Sequence, residues 1–194
     1  MARPLAVAVT GGIAAGKSEA LAAFARRGAL VSSSDEIVHR LYREDDELKA
    51  ALRARWGDEV FVDAEVDRPA VGRIVFADRA ELAWLEGLLH PRVRELYECW
   101  LAELRESDDP PALAVAEIPL LYEAGGEDRF DKVVVVTAPP HVRAARRGPV
   151  DDRESRLMPD EEKLRRADFA YVNDGSLEEL DAFVGGVVEE LASC

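Results

Sequence analysis

Near the amino end, Gly11-Gly12-Ile13-Ala14-Ala15-Gly16-Lys17-Ser18 has the spacing G-x-x-x-x-G-K-[ST] of a phosphate loop. Glycines at these places let the backbone curl so that successive N–H groups and the start of the next helix face anionic oxygens. Lys17 then reaches the β and γ phosphates of a nucleoside triphosphate. The Ser18 hydroxyl becomes a ligand of a magnesium ion whose other ligands are phosphate oxygens and water. The context required for the motif is present: the apolar run Leu5-Ala6-Val7-Ala8-Val9 precedes it, and the helical pattern from Glu19 to Ala25 follows.

Asp35 is the second residue type suited to chemistry. It follows the next strand-like run, and a carboxylate there suits a general base that takes the proton of an attacking hydroxyl. The same position also suits Ser34 or Asp35 as the N-cap of a helix through Ile37, Val38 and Leu41. A third group is the basic stretch with Arg143, Arg146, Arg147, Arg153, Arg156, Lys163, Arg165 and Arg166. Most of these cations have nearby acidic partners, such as Asp160, Glu161 and Glu162, on a solvated helix.

Positioning these groups calls for parallel strands buried on both faces. Strand patterns occur at Leu5–Thr10, Ala29–Ser32, Leu113–Ile118, Lys132–Thr137 and Phe169–Asn173, with helical patterns between them. The alternation predicts an α/β fold: a doubly wound, five-stranded parallel sheet, with its ligand beyond the carboxyl ends of the strands. Residues 36–107 contain no comparable strand and read as a helical, acceptor-binding insertion, with helices at Asp45–Trp56, Pro69–Phe76, Asp78–Leu89 and Pro91–Arg105. Ser176 with Glu179 forms a capping box for a final core helix.

The chain has 194 residues, which suits a single domain carrying an insertion. A net charge of −14 argues against a nucleic-acid surface. No apolar run approaches the roughly 20 residues of a membrane span, and the start does not read as a signal peptide, so a cytoplasmic protein is expected. Cys99 and Cys194 are too few for a disulfide framework or a zinc site. The oligomeric state is not legible.

Further strings extend the pattern: Val66-Asp67-Arg68 with Val75-Phe76, Leu85-Glu86 with Leu88-Leu89-His90-Pro91, Ile118-Pro119-Leu120-Leu121-Tyr122-Glu123, and Ala167-Asp168 before Asn173-Asp174-Gly175. Together with the phosphate loop, and in this order, they resemble the dephospho-coenzyme A kinases. The resemblance implies transfer of the γ-phosphoryl group of ATP to the ribose 3′-hydroxyl of dephospho-coenzyme A, the last step of coenzyme A biosynthesis, with Mg2+. It also implies a sheet of the phosphate-loop kinase type, with residues 141–166 as a short lid, and a set of site residues. The loop Gly11–Ser18, Glu19, Arg146 and Asn173 would meet the nucleotide, and Asp35, Arg68, His90, Leu120 and Glu123 the acceptor. Lys17, Asp35 and Arg146 would carry catalysis. For Arg68 a salt bridge within the insertion competes with this reading, for His90 a helix-end imidazole held by a carbonyl, and for Glu123 a cap or a partner of the insertion.

The sequence departs from the family at several places. Ser33-Ser34-Asp35 replaces the usual Asp-Ala-Asp, Ala14-Ala15 the commoner Gly-Ser, Glu19 a frequent threonine and Leu157 a usual glutamine, while the segment from Arg146 to Met158 is short. Two other readings follow from the same residues. One is another small-molecule kinase of this architecture, acting on nucleosides, nucleotides or shikimate. The other is a noncatalytic nucleotide-binding module.

Overall fold

The computed structural model describes residues 3–147 and 157–193. The chain begins with β1 (Leu5–Thr10), α1 (Lys17–Arg26), β2 (Leu30–Ser33), α2 (Ser34–Glu44) and α3 (Asp46–Trp56). There follow β3 (Phe61–Val62), β4 (Glu65–Val66), α4 (Arg68–Ala77), α5 (Arg79–Glu106) and β5 (Leu113–Glu117). The last elements are β6 (Lys132–Thr137), α6 (Pro140–Arg147), α7 (Asp160–Arg166), β7 (Phe169–Val172) and α8 (Leu177–Ala192). They divide into two units, Met1–Ser33 with Trp100–Cys194, and Ser34–Cys99.

The first unit is built on a parallel sheet in the order β2-β5-β1-β6-β7. Strand β1 is central and buried along almost its whole length, as its unbroken apolar run requires. The chain passes to one side of β1 to form β2 and β5, then to the other side for β6 and β7. The carboxyl end of β1 is therefore the switch point at which such sheets hold ligands. Val7, Val9, Phe24, Val134 and Leu180 pack together in the main core. Two carboxylates tie the chain leading into β6 and β7 to the sheet: Asp131 accepts the Ala6 N–H at 2.9 Å, and Asp168 accepts the Val133 N–H at 2.8 Å and the Lys132 ammonium at 2.9 Å.

Helices α1 and α8 are joined by Asp181, which accepts from Arg27 at 2.5 and 2.9 Å and from Arg26 at 2.7 Å. These arginine hydrogen bonds hold the Asp181 carboxyl well below the usual carboxylate range. A depressed folded-state value contributes stability above the unfolded value, and that contribution is lost as pH falls through the folded one. Asp181→Asn is therefore expected to lower the melting temperature near neutrality. Its deficit against wild type should shrink on acidification below about pH 4, the region of an unperturbed aspartate. Melting curves of both proteins across that range check it; a deficit that does not change with pH would remove the carboxylate from the explanation.

The capping box at Ser176 and Glu179 forms as the sequence predicts, at 3.2 and 2.7 Å. Each sheet strand was legible to within about a residue at its ends.

The second unit is mainly helical and corrects two expectations. The His90-Pro91 pair does not end a helix: α5 runs unbroken from Arg79 to Glu106 with Pro91 inside it. Proline removes one backbone donor and crowds the preceding turn, but here that turn holds Gly87, and the Arg92 guanidinium donates to the Leu88 carbonyl at 3.0 Å while its Nε holds Asp45 at 3.0 Å. Asp45 in turn caps α3 by accepting the Leu48 N–H at 2.8 Å. The insertion also contains a hairpin, β3 paired antiparallel with β4. Its central residues Asp63 and Ala64 have φ of 49° and 67°, the doubly left-handed geometry of a tight hairpin turn. Without the usual glycine at the second position, this turn carries no hairpin signal in its residue types.

Candidate functional site

The phosphate loop leaves the central strand at Thr10, which is fully buried and donates through Oγ1 to the Pro119 carbonyl at 3.4 Å. Gly11 has φ 141°, and a Cβ there would lie 1.8 Å from the Val136 carbonyl oxygen. Only glycine fits. Ala14 sits in the left-handed region at φ 58°, and Gly16 closes the loop at φ 104° before α1 begins. Lys17 is the first residue of α1 and buried, with Nζ donating to the Gly12 carbonyl at 2.9 Å. Ser18 follows it, exposed in the same first turn. Glu19 turns the other way and pairs with Arg26 at 3.3 Å.

The far side of the loop is braced by two groups. Asn173, buried just beyond β7, donates through Nδ2 to the Ala15 carbonyl at 2.8 Å. Arg146 of α6 reaches the Ala14 and Ala15 carbonyls at 3.4 and 3.3 Å and the Asn173 carbonyl at 3.4 Å. Both residues that the resemblance assigns to the nucleotide at the end of the chain therefore touch the loop itself. The arrangement supplies curled backbone, a helix start and converging cations, the ingredients of a polyphosphate site.

Glu123 lies in the turn after β5. Its Oε1 accepts the Met158 N–H at 2.8 Å and is 2.8 Å from the ammonium of Lys163. Lys163 is fully buried, so this charge pair has little solvent to compete with it, and removal of either partner would leave an uncompensated charge. The carboxylate of Glu123 is thus engaged with the base of α7. Leu120, in the same turn, is half-buried.

The remaining acceptor candidates belong to the helical unit. Asp35 is exposed in the first turn of α2, which begins at Ser34, so neither Ser34 nor Asp35 occupies the capping position. Ser34 instead shares a hydrogen bond with the Tyr97 hydroxyl at 3.0 Å. Arg68 is the first residue of α4, exposed, and has no salt bridge among the described residues, which leaves the competing structural reading without support. Burial pushes the Tyr42 phenol up to about 12 against the opposing field of Arg68. His90 is exposed in the interior of α5, so it is no helix-end imidazole. Of the predicted lid, 141–166, residues 148–156 lie outside the described residues, Arg153 and Arg156 among them.

Three functional candidates escaped the sequence reading. Arg143 and Asp160 meet at the phosphate loop: a Cβ on Gly12 would lie 2.7 Å from the Arg143 Nη1 and 3.4 Å from an Asp160 oxygen. Their only signal was position within the basic stretch. Glu117 is buried at the last position of β5, with Val9 and Ser33 as its ladder neighbours. An acidic residue ending an otherwise apolar strand was the signal there. A carboxylate thus stands one strand away from Ser33, where the family usually carries aspartate.

A family model described as dephospho-CoA kinase matches residues 5–179. A dephospho-CoA kinase of Mesorhizobium japonicum is 40% identical over 96% of this chain and 96% of its own length. One from Thermobifida fusca is 36% identical with the same coverage of both chains. Among solved structures, a Thermus thermophilus protein aligns at TM-score 0.74 with 36% identity over 98% of this chain and 99% of its own. The dephospho-CoA kinase of Campylobacter jejuni aligns at 0.71 with 27% identity over 97% of each chain. Shikimate kinase of Aquifex aeolicus, at TM-score 0.55 and 15% identity, shares the fold alone. The match over nearly the whole length, with the phosphate loop in place at the end of β1, settles the assignment: the chain belongs to the dephospho-coenzyme A kinase family.

Proposed function

We propose that the chain transfers the γ-phosphoryl group of ATP to the ribose 3′-hydroxyl of dephospho-coenzyme A, giving coenzyme A and ADP in the cytoplasm. The observation that carries this reading is the convergence of Lys17 and Arg146 on a loop whose Gly11 admits no side chain, in a chain of this family. Backbone N–H groups and the start of α1 hold the phosphates, and Lys17 neutralises charge between the β and γ groups. Asp35 accepts the proton of the 3′-hydroxyl as its oxygen bonds to the γ phosphorus and the bond from that phosphorus to the β–γ bridging oxygen breaks. Arg68, His90 and Leu120 position the acceptor. Glu123 contributes from the turn after β5 through its hold on Lys163 and Met158.

Magnesium fits the residues present. Ser18 offers one hard oxygen at the helix start, and among the described residues no cluster of three or more His, Cys, Asp or Glu forms a protein cage. Such a donor set suits an ion that takes most of its ligands from phosphate and water. When bound, it would supply positive charge to the β and γ oxygens.

An acceptor panel with ATP and magnesium tests the assignment. Dephospho-coenzyme A is expected to be phosphorylated far faster than CMP, AMP or shikimate, because binding energy from its long pantetheine arm contributes to positioning. The product should carry its new phosphate on the ribose 3′ oxygen. Phosphorus NMR showing a diphosphate grown on a nucleoside monophosphate would favour a nucleotide kinase, and no acceptor-dependent ADP release at all would favour a binding module.

A further inference from the structure

Two arginines three residues apart on α6, Arg143 and Arg146, share one face of the helix and reach different parts of the phosphate loop. Arg146 grips its middle, at Ala14 and Ala15. Arg143 lies over Gly12, where the absence of a side chain is what makes room: a Cβ there would stand 2.7 Å from its Nη1. The Gly12 carbonyl is also the group that receives Lys17 Nζ, at 2.9 Å. Lys17 serves the β and γ phosphates in loops of this kind. Gly12 therefore marks the γ end of the loop, and Arg143 flanks that end. Its side chain is only 12% exposed, and its second neighbour is Asp160, the first residue of α7, with Nη1 3.6 Å from Oδ2.

We propose that Arg143 is a further catalytic residue: its guanidinium binds the γ-phosphoryl group, distinguishes ATP from ADP and stabilises the charge that develops during transfer, while Asp160 is the counter-ion it leaves when ATP binds. Three features support the exchange. The Arg143–Asp160 separation is longer than a tight charge-assisted hydrogen bond, so a phosphate oxygen with closer geometry offers the better partner. A planar guanidinium presents two parallel donors to a phosphoryl group, which an ammonium does not. Its enclosure beside the loop keeps it aimed without reorganisation at the moment of reaction.

This inference rests on the kinase reading, so its test separates the two. Affinities for ATP and for ADP are measured on the full-length wild type, Arg143→Ala, Arg143→Lys and Asp160→Asn without acceptor, and turnover is then measured with dephospho-coenzyme A. Arg143→Ala is expected to lose about tenfold or more in ATP affinity with ADP affinity nearly kept, and about a hundredfold in kcat. Arg143→Lys should recover little of either. Asp160→Asn should bind ATP severalfold more tightly, since the competing carboxylate is gone, and this variant keeps the proposal open to refutation if Arg143→Ala fails to fold. Equal losses for ATP and ADP in Arg143→Ala, or ATP affinity in Asp160→Asn that stays level or falls, would overturn it. Failure of the wild type to phosphorylate dephospho-coenzyme A would instead sink the acceptor assignment, leaving the ATP-to-ADP comparison to stand by itself.

Discussion

Lys17→Ala is expected to reduce phosphoryl transfer by about a thousandfold or more, because in the proposed reaction its ammonium would carry a full positive charge to the group being transferred. Its Nζ rests on the Gly12 carbonyl at 2.9 Å, within the loop it serves. Alanine at the first residue of α1 keeps full helix propensity. The melting temperature should therefore move by only a few degrees, and circular dichroism should match wild type. Arginine at the same place should not rescue, since its broader head does not fit the space of a compact ammonium against Gly12. Measuring ADP release and melting on one preparation separates loss of chemistry from loss of fold; near-normal turnover would remove the phosphate loop from the mechanism.

Asp35→Asn should lower kcat by about two to four orders of magnitude with ATP affinity unchanged. The side chain is exposed in the first turn of α2, where a carboxylate gains only about 0.3–1 kcal/mol from the helix start, so stability gives it little reason to be there. The amide keeps the shape but has no strength as a base. A faster-ionising acceptor should soften the defect, because an acidic hydroxyl needs less help with its proton. If kcat is unaffected, Asp35 serves α2 alone, and the base must be sought among groups such as Glu117, buried at the end of β5.

Much of this was legible in the chain because parallel strands buried on both faces carry unbroken apolar runs, and a phosphate loop announces its own flanking strand and helix. The five sheet strands and the loop followed from that. The hairpin at Asp63-Ala64 did not, since its turn takes left-handed φ without glycine. Nor did the continuity of α5 through Pro91, which no local pattern encodes. At the candidate site, spacing singled out Lys17 and Ser18 as candidates, whereas Arg143, Asp160 and Lys163 were indistinguishable from neighbouring surface charges. What separates Lys163 is its complete burial against Glu123, and what separates Arg143 is a glycine more than a hundred residues away in sequence.

The anchoring of α6 and α7 has a consequence for how their variants combine. Helix α6 is fastened to the phosphate loop by Arg146, and α7 is fastened to the turn after β5 by Lys163 and the Met158 N–H on Glu123. The Arg143–Asp160 pair joins one helix to the other. Substitutions at groups with no shared partner add their effects, whereas those at paired groups do not. Losses at Arg146 and Lys163 should therefore sum while losses at Arg143 and Asp160 should not, so a double-mutant cycle reads the link between the helices apart from the two anchors.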